Sequence, residues 1–246
     1  MYSKEPRCIY RKNPLAEVIC QLRFPEILSI ETQLPDAFQD AIRNEFPRYL
    51  CRKENAGDKQ TNNYHFGTQD GTYRVNLTSK FISLSCSRYT SWEDFAGQLD
   101  KPLAAFIRIY KPAFFERVGL RYVNFLSRKD LDLEDAAYSQ LIQPCYLGVL
   151  GEEDVNETST ARSTVDADTA LRGGCRVKLH AGPGRVNKAG RQDPEVKFVL
   201  DFDLYMPGNV QVNYSAGALQ TLHDQSFGLF RGAITDMLHQ AMEPMD

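Results

Sequence analysis

The chain has no apolar run approaching the roughly 18 residues that a bilayer-crossing helix needs. Its amino terminus, MYSKEPRCIYRKNP, is basic but has no apolar centre, so no secretory leader is expected and cytoplasmic residence follows. Six cysteines lie far apart, with no CxxC and no Cys/His pair at finger spacing. In a chain of this size that excludes a disulfide framework and a zinc finger, and reduced, structural thiols are expected. The four histidines are scattered, and there is no HExxH, GxSxG or Walker pattern. Strong charge of either sign is absent too. Residues 1–123 hold 18 basic and 14 acidic side chains, the remainder 11 and 18, so the halves carry +4 and −7. That imbalance is too small for bulk electrostatic binding to nucleic acid.

What is present is periodicity. The stretch Phe114 to Leu126 alternates, with Val118, Leu120, Tyr122 and Leu126 facing one way and Arg117, Gly119, Arg121 and Val123 the other. A strand with one buried face reads this way. Residues 16–24 are its counterpart in the first half, with Val18, Cys20, Leu22 and Phe24 inward. After it come an amphipathic helix over 34–46, a polar linker over 53–63, and strands over 64–66, 73–77 and 81–87. Ser91 opens a capping box ahead of a long helix that reaches Tyr110 and carries Pro102, a kink signal. The second half repeats the order: the central strand, a helix over 131–143, strands over 175–179, 195–206 and 210–214, and a last helix over 219–242. Residues 151–173 read as a mobile insertion able to hide one weak strand, and 182–194 as a Gly-rich basic loop.

The expected class is therefore α+β. A pseudo-duplicated unit (strand, helix, antiparallel strands, helix) builds a curved sheet with helices on one face, its halves at 1–111 and 112–246. The element order is similar to that of the TATA-box-binding-protein saddle, although no motif is shared. Three patterns carry a closer resemblance: Asn13-Pro14-Leu15-Ala16-Glu17-Val18 with Arg23-Phe24, Arg117 to Asn124, and Leu219 to His223 with Phe230-x-x-x-Ile234-Thr235. Together they resemble a sporadically distributed family of uncharacterised prokaryotic proteins. That resemblance implies a prokaryotic accessory protein, of the kind found beside defence and CRISPR-associated genes, and no particular activity.

Three chemical readings arise. Arg23, Arg74, Arg117 and Arg121 would share the outward sheet face with Gln21, Asn76, Ser83 and Ser85, and Asn124 lies on the same strand as Arg121. Guanidinium forks among hydrogen-bonding groups suit a protein partner first and nucleic acid second. Asp201 and Asp203, two apart on a strand, have the spacing of a Mg²⁺ pair, although a solvated sheet face explains them as well. His223 and Asp224 are adjacent on a helix and so cannot form a base–orienter pair. The reading is a non-catalytic binding module with no cofactor and no metal.

Overall fold

A computed structural model describes residues 2–56, 59–188 and 191–245. Its elements are β1 (Ile9–Tyr10), β2 (Leu15–Arg23), α1 (Leu28–Thr32), α2 (Asp36–Ile42), β3 (Arg48–Ala56), β4 (Lys59–Gly67), β5 (Tyr73–Leu77) and β6 (Phe81–Cys86). Then come α3 (Trp92–Tyr110), β7 (Phe115–Leu126), α4 (Tyr138–Leu141), β8 (Val165–Ala170), β9 (Arg176–Lys188) and β10 (Arg191–Val210). The chain ends in α5 (Ser215–Arg231), α6 (Asp236–Ala241) and β11 (Pro244–Met245). Nine strands form one curved, open antiparallel sheet in the order β3-β4-β5-β6-β2-β7-β10-β9-β8, with helices on it. The α+β architecture expected from the periodicity is present. Both leading strands, β2 and β7, are followed by a helix, an antiparallel run that returns to them, and a long helix.

Packing divides the chain into two compact units, one of Glu17–Arg121 with Tyr205–Leu222, the other of Met1–Ala16, Tyr122–Leu204 and His223–Asp246. In the first, Val18, Cys20 and Leu22 of β2 and Val75, Leu77 and Leu84 of β5 and β6 are fully buried. The period of two thus sets which face the core takes. Aromatic rings fill the space under the helices: Phe106 of α3 stacks 4.6 Å from Phe24, and Phe38 of α2 meets Phe66 edge-on at 5.4 Å. The Ser91 hydroxyl caps α3 by accepting the Asp94 N–H at 3.1 Å. We expect Ser91→Ala to cost about 1 kcal/mol, measured by denaturant unfolding, because that donor loses its acceptor.

In the second unit, Tyr138 packs 5.2 Å from Phe198, and its hydroxyl donates to the Val196 carbonyl at 2.8 Å. The amino-terminal segment docks along α5. Ser3 N–H donates to Gly228 O at 2.8 Å, Arg7 to His223 O at 2.8 Å, and Arg231 pairs with Glu5 at 2.6 Å. Gly228 is required there, since a Cβ would come within 2.6 Å of the Tyr2 ring. His223 is buried, with its Nδ1 2.8 Å from the Tyr122 hydroxyl.

Several sequence expectations fail for identifiable reasons. The "linker" over 53–63 belongs to a hairpin, β3 with β4, whose tip at 57–58 lies outside the described residues. The Gly-rich stretch over 182–194 is also largely strand, in β9 and β10, with 189–190 outside the described residues. Within 151–173 the weak strand exists as β8, paired with β9. The helix expected over 131–143 shrinks to the single turn of α4, and 212–214 is a 3-10 turn rather than a strand. The final helix breaks after Arg231 and restarts at Asp236, where the Thr235 hydroxyl caps α6. The first helix is shorter than its pattern, ending at Ile42.

Candidate functional site

The antiparallel register of the first unit places outward residues in rows across the strands. One row runs Arg48, Gly67, Arg74, Ser85 and Ile19 from β3 to β2. The next runs Leu50, His65, Asn76, Ser83 and Gln21. A third opens with Arg52 opposite Asn63. Gly67 therefore stands between two arginines with no side chain of its own, and the sheet surface is hollow there. A groove of about 320 Å³ lies over it, lined by Arg48, Arg52, Arg74, His65 and, at its far side, Glu17.

The electrostatics of this groove are unusual for a sheet surface. Arg48, Arg52 and Arg74 form no hydrogen bond or ion pair among the described residues. His65 and Asn76 face each other across β4 and β5 and interact through their side chains, while Asn63 Oδ1 is buried without a hydrogen-bond partner among the described residues. Asn63 is anchored by its other end, Nδ2 donating to Glu54 Oε1 at 2.8 Å. Burial first, then Arg74 and Arg52, hold His65 below the ordinary histidine pKa, opposed in part by its hydrogen bond with Asn76. Buried polar atoms without partners are costly, and they concentrate where a ligand completes them.

Of the residues singled out from sequence, only Arg74 reaches this groove. Arg23 ends β2, where its Nε donates to Gln21 Oε1 at 2.8 Å, and it lines a separate hollow of about 520 Å³ with Glu26, Glu54, Lys80 and Glu116. Arg117 folds back over Gly119 and stacks 4.6 Å from the Tyr205 ring. Such a cation–π contact commits the guanidinium within the fold. Arg121 is exposed on β7. Asn124 is 5% exposed, and its Nδ2 donates to the Leu200 carbonyl at 3.1 Å. Its even position puts it on the core side of β7, where an amide must be satisfied internally.

Arg48 and Arg52 escaped sequence reading because they lie just before the stretch taken for a linker, and His65, on an expected strand, was read as isolated because its neighbours across β3 were not placed. The signal was there at period two, in Arg48-x-Leu50-x-Arg52 and Asn63-x-His65-x-Gly67. Asp201 is 9% exposed on β10. Among the described residues no three His, Cys, Asp or Glu side chains converge as metal ligands. No helix among them is long and apolar enough to cross a membrane. Comparison with protein-family models returns no match, and comparison with curated proteins returns none either.

Proposed function

We propose that this chain is a non-catalytic binding module that docks an acidic segment of a protein partner on the outer face of β3 to β6. The observation supporting it is the row Arg48–Gly67–Arg74, in which two guanidiniums without a partner among the described residues flank a gap in the sheet surface. A protein stabilised only for its own sake does not profit from such a surface, because removing the charges relieves repulsion. An anionic ligand does profit from it, through charge-assisted hydrogen bonds. β3 is also the terminal strand of the sheet, with Tyr49 and Leu50 half-exposed along it, and an open edge lets an extended peptide pair beside the arginines. A role in prokaryotic stress or defence, which the resemblance noted above implies, is part of this reading.

Affinity capture from the native host checks it. The wild-type chain should recover a defined protein, and Arg48→Glu/Arg74→Glu should recover at least tenfold less while keeping its unfolding midpoint. If the charge reversal leaves capture intact, the docking face is elsewhere. If nuclease treatment abolishes capture, and oligonucleotides bind with a steep salt dependence, nucleic acid replaces the protein partner.

A further inference from the structure

We infer that the groove over Gly67 is a phosphoryl-binding site, which takes the dianionic phosphate of a phosphomonoester between Arg48, Arg52 and Arg74. This deepens the docking reading above and rests on it, since it names the chemical group that the same surface holds.

The charge count comes first. Three guanidiniums and one carboxylate, Glu17, line the groove, leaving two positive charges to be matched. A lone carboxylate matches one of them, whereas a phosphomonoester at neutral pH carries nearly two negative charges and three acceptor oxygens. Geometry agrees. The guanidiniums come from two strands and both sides of Gly67, so they can meet different oxygens of a tetrahedral group. Each is able to present two parallel N–H donors. His65, one row along from Gly67, completes the lining beside them. At about 320 Å³ the groove is at the lower bound for small-ligand sites, large enough for a phosphate and part of what carries it.

The group has two sources, a phosphorylated side chain of a partner or a free phosphorylated metabolite, and the test separates them. Titration calorimetry on the full chain in low salt would use inorganic phosphate, sulfate, O-phosphotyrosine, O-phosphoserine and adenosine monophosphate, with acetate as the monoanion control. Saturable binding is expected for the dianions and not for acetate. Arg48→Ala and Arg74→Ala should each weaken it about tenfold, equivalent to about 1.4 kcal/mol. Gly67→Leu should abolish it without altering charge. The backbone there has no positive φ, and a Cβ meets nothing nearer than 3.7 Å, so the fold tolerates a side chain.

Preference for a phospho-amino acid assigns the site to a modified partner, and preference for the nucleotide assigns it to a metabolite. Absence of saturable dianion binding overturns the inference, as does binding unchanged in both the arginine variants and Gly67→Leu. Those outcomes are separable from failure of the docking reading. If capture is lost in Arg48→Glu/Arg74→Glu while no dianion binds, the surface docks a partner through other chemistry and only the phosphoryl assignment falls.

Discussion

Phe106→Ala should lower the unfolding free energy by about 4 kcal/mol, enough to consume a large part of the stability an ordinary domain possesses. The ring is fully buried on α3, 4.6 Å from Phe24 at the end of β2 and 5.5 Å from Tyr110 one turn on. Phe24, just past the end of β2, is still tied to the sheet by its N–H donating to the Lys80 carbonyl at 3.0 Å, so its ring can follow Phe106 only by breaking that bond. The neighbours therefore cannot collapse into the vacated space. The loss combines transfer of the ring to water with an unfilled cavity, which is why the upper part of the usual range applies. Phe106→Leu keeps most of the volume and should cost no more than about 1.5 kcal/mol. Urea denaturation of both variants tests the pair. A loss below about 1.5 kcal/mol for the alanine variant would mean that α3 does not seat on β2 and β6 through this ring.

That ring was legible in the sequence, as were most of the residues that bury. Tyr73–Leu77 is a strand over the residues its alternation marks, and β2, β6, β7 and the start of α3 lie within a residue or two of their patterns. In each of these, apolar groups fall on the core face at a regular period, although in β6 the intervening Ser83 and Ser85 are buried as well. The failures share the opposite property. Residues 52–54 and 60–62 are exposed or half-exposed, so neither face demands apolar groups; the cross-strand ladder of β3 with β4 organises them instead. The same holds for 183–186 in β9. The break between α5 and α6 is hidden for a different reason. The apolar spacing of Phe230, Ile234 and Leu238 continues through it, while Ile234 leaves the helix to bridge Ile142. The candidate groove inherits this blindness. Arg74 sits on a patterned strand and was found, whereas Arg48 and Arg52 sit on a polar hairpin arm and were not.

His223 should make the chain progressively less stable as pH falls from about 6.5 to about 4, and His223→Asn should remove that component. Burial, reinforced by the Arg7 guanidinium and only partly opposed by Asp224, lowers the His223 pKa to about 4. An unfolded histidine titrates near 6.5. Above 6.5 neither state binds the proton, so the full contribution is present. Between the two values the unfolded chain takes up a proton that the folded chain refuses, and the balance shifts toward unfolding with each step down in pH. The proton is refused because the neutral ring's Nδ1 lies 2.8 Å from the Tyr122 hydroxyl, inside a site closed by Arg7 on the docked amino-terminal segment. Charging the ring there would place an imidazolium beside a guanidinium. Asparagine keeps a hydrogen-bonding atom near the Nδ1 position but cannot titrate. His65 and His239 also have lowered pKa values, so the wild-type slope alone is not diagnostic. The difference is. From pH 7 to 4.5 the wild type should lose about 2 kcal/mol more than His223→Asn, since each unit of displaced pKa amounts to about 1.4 kcal/mol before screening. Parallel stability curves for the two proteins would show that the ring protonates freely in the native state and that the amino-terminal segment does not close over it.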